Sequence, residues 1–203
     1  MLAFINSALA AASNMLTGQG GNKKTARVTV VNNTTRPVVA VSVIHKSSKA
    51  YKNRSQWAMI QPGENSSPEL QVDYPATTDN DSWLVIWYSE DLQALWHSDP
   101  TDSVFPGDLL DRQTREEVQK VEEALATGSE PGSRGAQLAS ALAKSTTDRL
   151  FNSDSTEGFA QHVLRDEDAD QLTEIVINAN DTVTFKSRSS STETRVSSKP
   201  ATK

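Results

Sequence analysis

A chain of 203 residues with 36% hydrophobic and 23% charged side chains is long enough to bury the core of one domain without covalent staples. Cysteine is absent, which excludes disulfides, thiolate metal sites and cysteine nucleophiles, and no stretch approaches the roughly 18 apolar residues of a membrane-crossing helix. The formal net charge of −6 and the lack of any base-reading motif speak against a nucleic-acid partner.

The opening stretch, MLAFINSALAAASNML, sets Leu2, Ile5, Leu9 and Leu16 at helical steps, with Asn6, Ser7, Ser13 and Asn14 on the opposite face. This spacing predicts an amphipathic helix over residues 1–18, docked on the domain or pairing two copies of the chain as a homodimer. A secretory leader wants a positive start and an unbroken apolar run. Neither is present, so the stretch reads as cytoplasmic structure, and secretion would need a weak or non-classical leader. Residues 19–24, rich in glycine, read as a linker.

A single domain is expected over residues 25–198. TARVTVVNNTTRPVVAVSVIHK predicts two strands about a polar Asn-Asn-Thr-Thr turn, with Val39, Val41 and Val43 alternating with Ala40, Ser42 and Ile44. The next segment, HKSSKAYKNR, gathers His45, Lys46, Lys49, Tyr51, Lys52 and Arg54. It lies in a run, residues 22–54, that holds eight bases and no acid. Ordinary solvation and edge-strand protection account for such a cluster; the sharper reading is a basic binding patch for phosphate head groups or an acidic protein surface.

Beyond a Pro-Gly turn, a strand is expected through Leu70 and Val72. SWLVIWYSE is apolar on both faces, as in a central strand covered on both sides. A helical insertion is expected over about 107–165. GDLLDRQTREEVQKVEEALATG and AQLASALAKSTTDRLF form its hairpin, and a shorter third helix follows in STEGFAQHVLRDEDA, with Asp154 and Glu157 at capping-box spacing. Strands then return through Ile175 and Ile177, an Asn-Asp turn, Val183 and Phe185, and a last strand to Val196. Residues 199–203 read as a mobile tail. The expected fold is mainly β with inserted helices: an antiparallel β-sandwich plus a helical hairpin, docked on the apolar face around Trp83 and Trp87.

Catalytic and cofactor signatures are missing. His45, His97 and His162 share no metal spacing, no Gly-x-Ser-x-Gly elbow occurs, and TGQGGNKK lacks the spacing of a phosphate-cradling loop. Asp166, Asp168 and Asp170 alternate as in a calcium loop, but Gln171 and Ile177 stand where that template needs Gly and Glu. No catalytic residue, metal or cofactor is assigned. Trp57, Trp83, Trp87 and Trp96 read as core rather than as an exposed platform. Six Asn-x-Ser/Thr sequons, at Asn32, Asn33, Asn53, Asn65, Asn80 and Asn180, fit glycosylation and fit equally the clustering of Asn and Ser in turns.

ARVTVVNNTTRPVVAVSVIHK, WAMIQPGENSSPELQVDY, SWLVIWYSED and the stretch from LFNSDSTEGFAQHV to NANDTVTFKS resemble a mostly fungal family of small proteins. Its domain is named for up-regulation in nematode insulin-receptor mutants. The early strands with their VNN and PGE turns also resemble, over a shorter stretch, the aegerolysins, fungal β-sandwiches that bind membrane lipids. The first resemblance implies a fungal, non-enzymatic protein and carries over no active-site residue. The leading expectation is an effector or defence-type protein that occupies a protein partner, a host protease or receptor being concrete forms. The alternative is a lipid or membrane-surface binder acting through the basic patch, with anionic lipid as partner. A third reading is an unrecognised hydrolase built on one of the histidines and a neighbouring acid.

Overall fold

The computed structural model describes residues 23–76, 80–91, 94–100, 141, 144 and 147–200. Ten strands are present among them: β1 (Lys23–Asn33), β2 (Val38–Lys46), β3 (Lys52–Ile60), β4 (Leu70–Pro75), β5 (Ser82–Ser89), β6 (Ala94–Ser98), β7 (Ala160–Gln161), β8 (Leu172–Asn178), β9 (Thr182–Lys186) and β10 (Ser191–Pro200). Nine of them follow one another in a single hydrogen-bonded path, β3-β2-β5-β6-β10-β9-β8-β1-β4, and β7 pairs with β5 beside it.

The path curls until its two end strands meet. No ladder joins β3 to β4, but the backbone N–H of Asp73 donates to Oδ1 of Asn53 at 2.9 Å and Trp57 Nε1 donates to the Pro68 carbonyl at 2.8 Å. The result is a near-closed barrel, and the expectation of a two-sheet antiparallel sandwich is overturned. Two features explain it. β10 is long enough to pair with β9 through Ser191–Arg195 and then with β6 through Val196–Pro200, so the halves that would have been separate sheets share one strand. The sheet is also mixed, because β1 runs parallel to β8 while pairing antiparallel to β4. β1 and β2, adjacent in sequence, are not paired with each other. Alternation of apolar residues marks a strand but does not name its neighbour.

The barrel interior is filled by residues from every wall, among them Val28, Val30, Val41, Val43, Trp57, Tyr74, Trp83, Val85, Trp87, Ile175 and Phe185. Trp57, Trp83 and Trp87 are buried and Trp96 packs partly buried against the same cluster, as their aromatic bulk requires. β2 is buried at all nine positions and β5 at all but its last. These two strands are covered on both faces, so a second cluster forms on the outside of the barrel from Ile44, Leu84 and Ile86 with Leu150 and Phe159.

That outer cluster corrects the expected docking face. Trp83 and Trp87 point into the barrel, and the helical residues 147–152 lie instead on the Leu84 and Ile86 side of β5. The first helix of the predicted hairpin, and most of the second, fall outside the described residues. The predicted third helix is absent. Its sequence forms a turn with Gly158 at φ 77°, then β7, an extended run, and a 3-10 turn at Asp166–Asp168. Pairing of Ala160 with Trp83 and of Gln161 with Ser82 takes the backbone away from helix, and the expected capping residue Asp154 binds lysines instead. At the C-terminal end, β10 runs to Pro200, past the point where a tail was expected to begin.

Candidate functional site

The basic patch predicted around the β2–β3 turn is brought together by the fold, but its members take different roles. β2 and β3 form a hairpin in which His45 opposes Asn53 and Lys46 opposes Lys52. Side chains alternate across a strand, so His45 turns into the barrel while Lys46 turns outward.

Lys46 is only 4% exposed. Its ammonium donates to three carbonyl oxygens, those of Leu150 at 2.6 Å, Ser153 at 2.7 Å and Ser155 at 2.9 Å. It also lies 4.8 Å from the centre of the Phe159 ring. These acceptors belong to the last turn of the helical residues 147–152 and the segment just after it. The final carbonyls of a helix have no partner within the helix and carry its negative dipole end, so a lysine here satisfies both. Burial, and then the neighbouring charge of Lys52, pull the Lys46 ammonium down to about 8, against an opposing pull from Asp154.

Around it, Lys52 contacts Asp154 at 3.1 Å and Lys49 reaches the other oxygen of the same carboxylate at 3.6 Å. The Lys52 hydrogen bond, followed by the charge of Lys49, holds the Asp154 carboxyl below the usual range. Arg54 pairs with Asp148 and sits 4.7 Å over the Phe151 ring. Tyr51 is half-buried at the end of the turn. Residues 147–155 therefore lie across the patch as a strap, held by all four of its Lys and Arg side chains. Asp154, expected from sequence only as a helix cap, and Asp148, to which no role was assigned, are the acidic counterpart. Nothing local in the sequence marks them, because they stand about a hundred positions away from the cations they meet.

His45 belongs to a separate, interior cluster. It has no exposed surface, and its Nε2 lies 3.1 Å from Oδ1 of Asp81, which is equally buried. Oδ2 of Asp81 accepts from the backbone N–H of Leu164 at 2.7 Å, and its carbonyl accepts from His162 N–H at 3.1 Å. The His45 ring packs 4.2 Å from Trp83, whose Nε1 donates to the His162 carbonyl at 2.8 Å. His162 Nδ1 lies 3.0 Å from Thr192 Oγ1, and its ring stacks on Phe185. His97, on β6, is buried elsewhere and donates from Nδ1 to the Ser98 carbonyl at 3.3 Å. Burial lowers the pKa of both His162 and His97. The network ties β2, β5, β7 and β10 together across the barrel wall.

With all three rings at most 2% exposed, none can meet a substrate while the wall is closed. Among the described residues no group of three or more His, Asp or Glu is placed to hold a metal ion. Asp168, from the run that mimics a calcium loop, is buried at the 3-10 turn. It accepts from Ser189 Oγ at 2.6 Å, Ser189 N–H at 2.8 Å and Arg165 N–H at 2.7 Å. Burial opposes its charge, but these hydrogen bonds outweigh burial and hold its carboxyl below the ordinary value.

One further recess lies where β7 and the first half of β10 run alongside without a ladder. It has a volume of about 520 Å³ and is lined by Phe159, Ala160, Gln161, Phe185, Thr192 and Glu193 among others. Leu2, Ile5, Leu9 and Leu16, proposed from sequence as a docking or dimer face, lie outside the described residues.

A family model described as Up-Regulated in long-lived daf-2 matches residues 22–196. No curated protein matches the chain.

Proposed function

The chain belongs to the Up-Regulated in long-lived daf-2 family, and on that premise we propose that it is a non-enzymatic binding protein whose β-barrel presents a cationic corner to an anionic lipid surface. The supporting observation is the corner itself. Lys49, Lys52 and Arg54 stand on one turn and the strand after it, with Lys46 directly beneath, and two carboxylates answer them in ion pairs. Lys49, at the tip, has a side chain 88% exposed. A local positive excess on a chain that is acidic overall attracts anionic head groups at short range, with a pull that salt screens.

The other reading, occupation of a protein partner such as a protease or receptor, asks for an apolar centre rimmed by polar residues. Among the described residues the exposed large hydrophobics are Met59 and Leu172, on β3 and β8. They do not lie on paired strands, so they form no such centre. A surface recognised through charge does not need one.

Cosedimentation with phosphatidylserine-containing and with purely zwitterionic vesicles tests the proposal. The expected result is retention on the anionic vesicles that salt abolishes and that Lys49→Glu weakens, with melting unchanged by that substitution. Equal retention on both vesicle types, or none on either, would count against it. Saturable binding of a purified protein partner by Lys49→Glu and wild type alike would favour the protein-partner reading.

A further inference from the structure

We propose that residues 147–155 are an autoinhibitory strap over the cationic corner, and that an anionic membrane surface binds by displacing them. The inference rests on the membrane-surface reading above and adds how that site is regulated.

The strap supplies to each cation the same chemistry that a lipid head group would. Lys46 receives three carbonyl oxygens, Lys52 and Lys49 share the Asp154 carboxylate, and Arg54 holds the Asp148 carboxylate. An array of phosphate and carboxylate oxygens on a membrane competes for the same donors, and competes best where they are exposed. The Asp154 side chain is 64% exposed and that of Asp148 is 39% exposed. Such pairs hold weakly against a dense anionic surface. With the strap in place two carboxylates offset part of the charge of the four cations; without it, all four stand unanswered.

The second element is apolar. Leu150 sits in the outer cluster against Ile44, Leu84 and Ile86, with Phe151 packed beside it. Lifting the strap uncovers that face next to the freed cations. Apolar surface beside positive charge is the combination that holds a protein in the membrane interface. The chain also has a place to bend: Gly158, at φ 77°, separates the strap from β7, which stays paired to β5 through Ala160 and Gln161.

The test uses the full chain and a variant that leaves every charge in place, Leu150→Ser, which loosens the strap by removing its buried anchor. Binding to phosphatidylserine-containing vesicles is measured at low and high salt, with hydrogen exchange of residues 147–155 followed in parallel. The expected result is that vesicles speed exchange in the strap but not in β2 or β5, and that Leu150→Ser binds about tenfold more tightly, a gain that high salt removes. If wild type binds while strap exchange is unchanged and Leu150→Ser gains nothing, the strap is only a structural cover and the membrane-surface reading survives without it. If neither protein binds, both fall.

Discussion

The ammonium of Lys46 lies 2.6 Å from the carbonyl oxygen of Leu150, 104 residues further along the chain. This contact converts what reads in sequence as an exposed basic cluster into a docking point for the protein's own backbone. It also decides how the outer face of β5 is covered, because the carbonyl belongs to the residue whose side chain fills the cluster of Ile44, Leu84 and Ile86.

Lys46→Met keeps the apolar stem but removes every donor, leaving three carbonyls to find water. Hydrogen bonds from a charged donor are worth about 1.5–3 kcal/mol each, and some of that is recovered as the strap becomes hydrated. The expected loss is about 2–4 kcal/mol in urea denaturation, with faster hydrogen exchange concentrated in residues 147–155. A loss spread evenly over the barrel strands would mean that Lys46 supports the barrel rather than the strap.

Asp81 is the residue on which the interior network converges. Asp81→Asn removes the charge that faces His45 and weakens the acceptor for Leu164 N–H, and both contacts are fully buried. Breaking a buried pair from one side costs on the order of 3 kcal/mol or more. The matched comparison is Asp73→Asn, which disturbs the solvent-accessible pair with Lys23, its side chains 51% and 25% exposed, and should cost about 1 kcal/mol or less. Equal losses from the two substitutions would contradict the assigned difference in burial.

Stability should depend on pH in two separate windows. Burial lowers the folded-state pKa of His97 and His162 below the ordinary value of 6.5. Between the lowered values and 6.5 the unfolded chain holds protons that the folded chain does not, so stability falls as pH drops below about 6.5. Asp168 behaves as a depressed carboxylate. Its contribution is complete above its ordinary value of 3.8 and is lost only as pH falls below that, through its folded-state pKa. Melting temperatures recorded from pH 7, below the range in which Lys46 titrates, to pH 3 should stay level down to about 6.5 and then decline, with a further drop below about 4. His162→Asn should make the first decline shallower, leaving the part due to His97, and leave the second. A profile level to pH 4.5 would contradict the burial of both rings.

Much of the strand content was readable because it is local. Val41 and Val43 share the interior face, though a bulge at Ala40, φ 50°, puts Val38 there in place of the expected Val39; the Asn-Asp turn falls between β8 and β9, and the doubly apolar β5 is covered on both faces as its composition requires. Pairing was not readable. The long β10 closes two half-sheets into one barrel, and nothing in STETRVSSKP says that it serves two neighbours. The third helix failed for a related reason: Ala160 and Gln161 form a better contact with β5 than with their own chain neighbours, and helical spacing cannot register that competition. In the candidate site the cations were legible as a cluster, whereas Asp148 and Asp154 were hidden by sequence distance. Asn32 carries the same lesson, because a glycosylation sequon there turns out to be a buried side chain whose amide donates to the Arg36 and Ile60 carbonyls.

The most direct measurement is the salt dependence of wild-type binding to vesicles rich in phosphatidylserine. At about 0.01 M ionic strength the field of a surface charge reaches over roughly 30 Å, and at about 1 M over only roughly 3 Å. The protein should be held on the vesicles at the low end and released at the high end, and should stay in solution with zwitterionic vesicles throughout. Absence of binding at low salt, or binding that survives high salt unchanged, would contradict a cationic corner as the functional surface of this barrel.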